Sequence, residues 1–437
     1  MSQAPLRPYG THGRRVAIVA GVRTPFARAG TVLSGLSAID LGKACVAELI
    51  QRAELEPELV EAVIYGTVVQ QVTAPNIARE ISLMPMLPRG CEAYTVARAC
   101  ASANQAITDA ADQIVLGHHD VVIAGGAESL SNVPILHSRS MAAKLMALSK
   151  ARSATQRLRI AASIRPRDLV PITPAIAEPS TGETMGESAE KMAKLNHIPR
   201  DAQDQFALRS HRLAAVGAED GRMAAEIAPV FLPPAYSSSM NADNGIRTDT
   251  SLERLAALPP VFDKRYGSVT AGNSSPLTDG ASAVLLMSAE RAATLGIRPL
   301  AYIRSYAYAA LDPGEQLLMG PVLAAPLALQ RAGLTLAEMD LVEMHEAFAA
   351  QVLSNLQGFL SREWARRAGF SEPLGEVDRS RLNVMGGSIA IGHPFGATGG
   401  RILTTLANEL VRRDGQFGLL TVCAAGGMGH AMVIERT

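Results

Sequence analysis

Short apolar runs alternate with segments of helical periodicity in the first third of the chain. The run at 15–21 is apolar, rich in β-branched residues and closed by a glycine, which predicts a strand covered on both faces. At 37–52 the apolar residues recur on or near one helical face, which predicts a helix. Two more strands are predicted at 62–65 and 120–126, and a helix of small residues at 102–116 precedes the second of them. Strands that alternate with helices predict a layered α/β core.

The last third of the chain repeats this pattern. Segments 52–66 and 331–345 align at one constant offset, and both predict a helix end, a turn and a buried strand. A helix at 398–411 and a strand at 418–422 then follow in the order seen in the first half. We therefore predict a duplication, in which two copies of one βα unit pack face to face.

Three residues with chemical potential occupy corresponding places in the two copies. Cys100 stands where the small-residue helix begins, His393 stands shortly before the helix at 398–411, and Cys423 follows the strand at 418–422. Open α/β sheets place their sites at such strand and helix ends. The duplication therefore predicts that these three side chains meet.

The stretch between the two halves has a different character. It contains a proline-broken segment at 166–179, polar turns, and amphipathic helices such as 202–215, and we expect it to cover a site. The predicted domains are an N-terminal half at 1–130, an inserted cover domain at 131–277, a return to the N-terminal half at 278–297, and a C-terminal half at 298–437.

Composition narrows the classes of function. The 437 residues carry a formal net charge of +0 and only 4% aromatic residues, whereas nucleic-acid binding needs clustered cations and stacking platforms, so we expect no nucleic-acid partner. The four cysteines form no CxxC pair, which argues against a zinc site and a secreted disulfide framework. No secretory signal is evident, and no run approaches the roughly 18 apolar residues of a membrane helix. We expect a soluble cytoplasmic protein.

Cys100 is the first candidate for chemistry. Small residues follow it and a helix begins there, and a helix N-terminus favours a thiolate and offers free N–H groups to an oxyanion. A small cysteine buried in the core would fit the same local pattern.

The segment 383–400 favours the chemical interpretation. It holds six glycines and His393 within eighteen residues, and glycine costs stability wherever it is not needed. So many glycines predict backbone folded tightly around a site. The segment 423–429 repeats the arrangement, with Cys423 before a glycine turn.

Taken in order along the chain, these segments resemble the signatures of the thiolase family. The resemblance rests on Cys100 in its context and on the segments 24–26, 125–129, 269–275, 383–400 and 423–429. It covers essentially the whole chain. It implies a five-layered αβαβα fold of two duplicated halves plus an inserted loop domain, no tightly bound cofactor, no metal, coenzyme A as a substrate, and at least a homodimer.

The resemblance also implies roles for individual residues. Cys100 would accept the acyl group, His393 would activate it and line an oxyanion hole, and Cys423 would move the proton at the α-carbon. A thiol exchanges one thioester for another at little thermodynamic cost, and a second thiol can give and take a proton. The backbone N–H groups of Cys100 and Ala425 would bind the acyl oxygen.

Two positions depart from the commoner thiolase pattern. His345 stands where Asn is usual and would hold a water in the oxyanion hole, since an imidazole can also hydrogen-bond one. Its presence resembles the β subunit of trifunctional fatty-acid-oxidation complexes. Ala425 replaces a common Gly but keeps the N–H. Ser275, with Ala271 and Gly272 of the same motif, would contact coenzyme A.

The segment 129–167 carries eight basic residues and no acidic one. It could contact an anionic membrane, dock a hydratase/dehydrogenase subunit, or steer the phosphates of coenzyme A. The expected activity is that of an acyltransferase, a 3-ketoacyl-CoA thiolase. The alternatives are an acetoacetyl-CoA-specific biosynthetic thiolase, a decarboxylating condensing enzyme, and a non-catalytic acyl-CoA-binding or membrane-targeting subunit of a β-oxidation complex.

Overall fold

The computed structural model describes residues 14–172 and 177–437. The prediction that no secretory signal is present falls on residues that lie partly outside these ranges. Among the described residues, no helix combines the length and apolar content that crossing a membrane requires.

The strands agree with the predicted alternation. They are β1 (Val16–Arg23), β2 (Ala27–Arg28), β3 (Ala62–Gly66), β4 (Glu92–Val96), β5 (Val121–Glu128), β6 (Val230–Phe231), β7 (Ser239–Met240), β8 (Thr278–Ser288), β9 (Ala301–Ala310), β10 (Leu341–Met344), β11 (Phe417–Ala424) and β12 (Met428–Glu435).

The helices alternate with these strands in both halves. They are α1 (Ala38–Arg52), α2 (Ile77–Ser82), α3 (Ser102–Val115), α4 (Arg139–Lys150), α5 (Ala154–Ala162), α6 (Met185–Leu195), α7 (Arg200–Glu219), α8 (Leu252–Ala256), α9 (Ala289–Thr294), α10 (Gly320–Ala332), α11 (Ala349–Phe359), α12 (Arg362–Arg367), α13 (Ser388–Ile391) and α14 (Thr398–Arg412).

The duplication is visible in the order of the strands. The N-terminal half runs β4-β3-β5-β8-β1, and the C-terminal half runs β10-β11-β12-β9. In each half the first crossovers are parallel (β3 with β5, β10 with β11) and the later pairings are antiparallel. A parallel bridge between Val342 and Leu382 stands in the place that β4 has in the first half.

The two half-sheets meet along a narrow seam. β1 and β9 share only two residue pairs, Ala17 with Tyr302 and Ile18 with Ala301, whereas β1 and β8 share seven. The halves therefore stack mainly through side chains and through the helices between them.

Three hydrophobic clusters define five layers. The outer cluster of the first half packs α1 and α2 on one face of its sheet, and the outer cluster of the second half packs α10 and α11 on the opposite side of the molecule. The middle cluster holds α3 and α14 between the two sheets. Strand β5 shows why, since Val121 and Ile123 face the outer cluster while Val122 and Ala124 face the middle one. The predicted αβαβα arrangement is confirmed.

Helices α4 to α8 lie between β5 and β8, in the stretch predicted to be an insertion. Helix α6 begins with a capping box, because Thr184 accepts from the N–H of Glu187 and Glu187 accepts from the N–H of Thr184. This fixes the start of α6 near the strand ends of the core. The predicted domain limits at 130, 277 and 297 stay a prediction.

Candidate active site

Cys100 lies in a tight turn between β4 and α3. Ala99 adopts the left-handed region with φ 44°, which a residue with a side chain rarely enters. The turn is closed by Ser102, whose hydroxyl donates to the Ala99 carbonyl at 2.6 Å and accepts from the N–H of Arg98 at 2.8 Å. Cys100 is thereby presented directly before the first turn of α3, as the sequence predicts.

His393 reaches Cys100 from the other half of the chain. Gly392 before it has φ 118°, and a Cβ there would lie 2.5 Å from the Thr278 methyl carbon, so only glycine fits. The His393 ring is held between two partners: Nδ1 lies 2.6 Å from Thr398 Oγ1 and Nε2 lies 3.2 Å from Cys100 Sγ. Two residues 293 positions apart are thus in hydrogen-bond contact.

The resting pair is uncharged. Burial raises the pKa of the Cys100 thiol to about 12, although the N–H groups of Ala425 and of Cys100 itself act in the opposite direction. Burial also lowers the pKa of His393 to about 3, with the positive charge of Arg401 adding to the effect. The helix start favours a thiolate at Cys100, as the sequence indicates, but burial acts on the pKa in the opposite direction and more strongly.

Cys423 and Ala425 close the other side of the site. Cys423 is 1% exposed near the end of β11, and its pKa is raised well above the usual range by burial and then by the nearby Cys100. The Ala425 N–H faces Cys100 Sγ closely enough to stabilise a thiolate there. The structure therefore brings together the two cysteines, His393 and the predicted N–H pair.

His345 lies beside the His393 ring, after the end of β10. The two ring centroids are 4.2 Å apart, and His345 Nδ1 lies 2.9 Å from Ser388 Oγ. The residue is fully buried, and its pKa is lowered far below the usual range by burial, then by His393 and Arg401. Both histidines of the site are therefore neutral.

A largely apolar cavity of about 520 Å³ opens over the nucleophile. We call it the nucleophile cavity. Its polar lining includes Cys100, His393, Cys423 and Ser275. Its apolar lining comes partly from the insertion, with Met185, Phe262 and Leu277, and partly from the C-terminal half, with Leu318, Phe348 and Phe395. That the insertion forms a cover domain stays a prediction.

A second cavity of about 360 Å³ adjoins the first, and we call it the arginine cavity. Ser274 and Ser275 line both cavities, so the two are contiguous. Ala271 and Gly272 line only the arginine cavity, together with three arginines. Those arginines are Arg28, Arg247 and Arg254.

Both halves of the chain match known protein families. Residues 16–290 match the family of thiolase N-terminal domains, and residues 297–436 match that of thiolase C-terminal domains. The chain belongs to the thiolase family.

Relatives resemble the chain over its full length. A 3-ketoacyl-CoA thiolase of Aeromonas salmonicida is 51% identical over 432 residues, 99% of each chain, and one of Pectobacterium atrosepticum is 51% identical over 97% of each. Among solved structures, human mitochondrial 3-ketoacyl-CoA thiolase in complex with CoA has a TM-score of 0.84 and 32% identity, covering 99% of this chain and 100% of that one. A Bacillus anthracis acetyl-CoA acetyltransferase has a TM-score of 0.83 and 33% identity, covering 97% and 99%.

The thiolase site also contains a set of atoms that could bind a soft metal. Cys100, His345 and His393 each offer one ligand atom, and these atoms lie within 4.8 Å of one another. Thiol and imidazole are the ligands that Zn²⁺ prefers. The resemblance implies no metal, and that expectation stays a prediction.

Two carboxylates that sequence reasoning did not assign organise the thiolase site from behind. Glu128 accepts from the N–H groups of Val68, Val69 and Gly396 at 2.9 to 3.0 Å, which ties the loops of both halves together. Glu346 accepts from Ser210 Oγ at 2.6 Å and from Asn383 Nδ2 at 2.7 Å. Glu128 lies in the segment 125–129 and Glu346 directly follows the repeat at 331–345, but a buried carboxylate has no signal of its own in a single sequence.

The sequence alone does not predict the arginine cavity. It predicts His211, in the amphipathic helix 202–215, as a surface residue, and this prediction is wrong. The residue is 4% exposed, and its Nδ1 accepts from the N–H of Arg247 at 3.2 Å. Burial, with Arg247 and Arg28 nearby, lowers its pKa to about 4. Residues 28, 211, 247 and 254 are distant in sequence, so only the fold brings them together.

Proposed function

We propose that this thiolase is a 3-ketoacyl-CoA thiolase, an acyltransferase that cleaves 3-oxoacyl-CoA with coenzyme A to acetyl-CoA and a shortened acyl-CoA, or runs the reverse condensation. The observation that carries the proposal is the 3.2 Å contact between Cys100 Sγ and His393 Nε2 at a cavity that Cys423 also lines. Its relatives named 3-ketoacyl-CoA thiolase support the same activity.

In the first half-reaction His393 Nε2 takes the proton of Cys100 as the sulfur attacks the 3-oxo carbon. The C2–C3 bond breaks, Cys100 keeps the acyl group, and the electron pair goes to C2 as the enolate of acetyl-CoA. Cys423 gives its proton to C2, which its raised pKa makes possible because the group is a thiol at neutral pH. Acetyl-CoA then leaves.

In the second half-reaction the thiol of coenzyme A gives its proton to the Cys423 thiolate left by the first half-reaction, and its sulfur attacks the acyl-Cys100 thioester. The new acyl-CoA leaves, and the Cys100 sulfur takes back the proton that His393 holds. The N–H groups of Cys100 and Ala425 stabilise the oxyanion of this step, since both already interact with the Cys100 sulfur. The rings of His393 and His345 stabilise the enolate oxygen, directly or through a water.

The test is the CoA-dependent loss of 3-oxoacyl-CoA absorbance, followed for wild type, Cys100→Ala and Cys91→Ala. Cys91 is buried in the loop before β4 and does not line the nucleophile cavity, so it is the matched cysteine control. We expect activity in wild type and Cys91→Ala and none in Cys100→Ala. Folded wild type without activity would contradict the proposal and favour the non-catalytic acyl-CoA-binding subunit.

Chain length separates the proposal from an acetoacetyl-CoA-specific enzyme. The apolar lining of the nucleophile cavity, with Phe262, Leu318 and Phe348, favours an acyl chain longer than acetyl. We expect kcat/KM to be higher with a sixteen-carbon than with a four-carbon 3-oxoacyl-CoA. Activity confined to the four-carbon substrate would identify the biosynthetic enzyme instead.

Coenzyme A is proposed to enter through the arginine cavity, with no tightly bound cofactor. Ser275 lies at the junction of the two cavities, where the pantetheine arm would pass, and Ala271 and Gly272 line the outer one. Arginines 28, 247 and 254 are suited to the phosphate groups of the nucleotide. Arg247→Ala is expected to raise the KM for coenzyme A about tenfold while kcat changes little, because it removes one phosphate contact.

A homodimer is proposed through the edge of the N-terminal sheet. Within the described residues, β4 pairs with β3 on one side and with no strand on the other. An open edge is a template for a second copy, and a two-fold axis would pair two β4 strands antiparallel. A hydratase/dehydrogenase subunit, implied by the resemblance, would bind elsewhere on the molecule.

Peripheral membrane contact is proposed for the basic segment 131–167. Helices α4 and α5 pack against each other and expose apolar side chains among the cations, including Met146 and Leu158, and Ile135 before α4 is also exposed. Among the described residues, Lys144 is the only cation of this segment that forms an ion pair, and its partner is Asp168. Exposed cations with adjacent apolar side chains suit an anionic lipid surface.

Sedimentation with phosphatidylglycerol and phosphatidylcholine vesicles tests this contact. We expect binding to the anionic vesicles only, lost in a variant with Arg152, Arg157 and Arg159 changed to Gln. No binding to either vesicle would contradict the membrane proposal and leave the segment as a docking surface for a partner subunit.

A further inference from the structure

A chain of buried polar side chains leads from the core to His345. Glu343 lies 3.9 Å from Nη1 of Arg401, and Nη2 of Arg401 donates to Ser388 Oγ at 2.9 Å. Ser388 Oγ in turn lies 2.9 Å from His345 Nδ1. All four residues are at most 2% exposed, so the chain is shielded from bulk water.

The positions of these hydrogens can be worked out from donor chemistry. A guanidinium only donates, so Ser388 Oγ accepts from Arg401. The hydroxyl of Ser388 has one hydrogen of its own, and His345 Nδ1 is the other polar atom bonded to it. His345 is neutral, because its pKa lies far below the usual range through burial and the nearby His393 and Arg401. A neutral imidazole has one accepting nitrogen, and Nδ1 is placed to be that nitrogen.

We infer that Arg401 and Ser388 are positioning residues that fix the tautomer of His345, with Nδ1 as acceptor and the proton on Nε2. Nε2 is buried and has no hydrogen-bond partner among the described residues. His345 stands against His393, and one of its ring nitrogens lies within 4.8 Å of Cys100 Sγ. The free Nε2–H is therefore a fixed donor available to an oxygen of the substrate or to a water.

The inference deepens the proposed function and rests on it for its catalytic meaning. With the proton held on Nε2, His345 cannot take the proton of Cys100, which leaves that task to His393. The two adjacent histidines thus have different chemistry: His393 accepts a proton, and His345 donates a hydrogen bond to developing negative charge. Removal of one such donor typically costs about 10²- to 10³-fold in kcat.

A double-mutant cycle between Ser388→Ala and His345→Asn tests the catalytic consequence. Asn presents an amide donor that has no tautomers, so it should not depend on Ser388. We expect Ser388→Ala to lower kcat about 10- to 100-fold in the wild-type background, with little change in the KM for coenzyme A, and less than about threefold in the His345→Asn background. Equal losses in both backgrounds would overturn the inference, because Ser388 would then act through packing alone.

The tautomer itself is measured by ¹⁵N NMR of histidine-labelled protein, with His345→Asn used to assign the signals. We expect wild type to show His345 with an unprotonated Nδ1 and a protonated Nε2 from pH 6 to 8. A proton on Nδ1 would overturn the inference. This measurement needs no turnover, so it distinguishes failure of the tautomer assignment from failure of the thiolase activity, and it holds even where Ser388→Ala does not fold.

Discussion

At the scale of single residues, the site is built from cysteine and histidine side chains that burial keeps uncharged. Cys100 and His393 would exchange a proton only when the substrate arrives, since burial raises the pKa of one and lowers that of the other. The residue types could be predicted from sequence because His393 and Cys423 stand beside glycine-rich turns and Cys100 stands before a helix of small residues. Their protonation could not, because it depends on how much water the assembled layers exclude.

The neutral pair predicts how Cys100 reacts with iodoacetamide. A thiol whose pKa is raised to about 12 is protonated at pH 7, so its thiolate fraction should rise about tenfold per pH unit with no plateau below pH 9. The measurement is the rate of Cys100 alkylation by mass spectrometry from pH 6 to 9, with Cys100→Ala correcting for other cysteines. A plateau near neutral pH would instead indicate a preformed thiolate–imidazolium pair.

His430 predicts a loss of stability in acid. It is buried in β12 against the ring of Tyr308, and burial, with Arg98 nearby, lowers its pKa to about 3. Below about pH 6.5 His430 binds a proton in the unfolded chain but stays neutral in the folded one. The contribution of neutral His430 to the free energy of unfolding is therefore complete above that pH and is lost as the pH falls toward 3.

The variant His430→Phe keeps a ring and removes this titration. From pH 6 to 5 the free energy of unfolding of wild type should fall relative to His430→Phe by about 1.2 kcal/mol, measured by urea unfolding at both values. Between pH 8 and 7 the difference should stay constant. A constant difference down to pH 5 would show that His430 is protonated in the folded protein.

At the scale of elements, the two central helices pack through small residues. Gly399 of α14 lies against Asn104 of α3, and a Cβ on it would come within 2.0 Å of the Asn104 amide oxygen. Periodicity predicted both helices well, since each has an apolar face toward the middle cluster. Periodicity could not predict that α3 comes so close to the start of α14 that a residue with a Cβ would collide there.

Gly399→Ala should therefore destabilise the protein. Overpacking costs about 1 to 3 kcal/mol, and the better helix propensity of alanine offsets this cost only in part. Gly90 is the matched control, because a Cβ there meets nothing within 4 Å. Gly90→Ala should change the free energy of urea unfolding by less than about 0.5 kcal/mol. Equal effects of the two substitutions would contradict the close packing of α3 and α14.

At the scale of the whole molecule, the site lies between two halves that share only a narrow seam. Cys100 comes from the first half, and His393 and Cys423 come from the second. The repeat in the sequence predicted this stacking, and the described structure agrees, with short 3₁₀ turns at Pro57–Leu59 and Leu336–Glu338 in equivalent places. The arginine cavity was not predicted, because its lining combines Arg28 of β2 with residues from loops of the insertion.

The open edge of β4 predicts a dimer in solution. Analytical ultracentrifugation should give twice the chain mass of 46.0 kDa. Ala93 turns its carbonyl away from β3, toward Asn76, so its N–H also faces the edge, and Ala93→Pro should weaken the pairing by removing that donor. A monomer in wild type, or a dimer unaffected in the folded variant, would place the interface elsewhere.

The division of the site between the halves has a consequence during protein synthesis. Cys100 is synthesised 293 residues before His393, which would receive its proton, and Cys423 is synthesised later still. A nascent chain with only its first half folded carries Cys100 without the histidine it needs. On the proposed mechanism, thioester exchange would therefore begin only when synthesis is nearly finished.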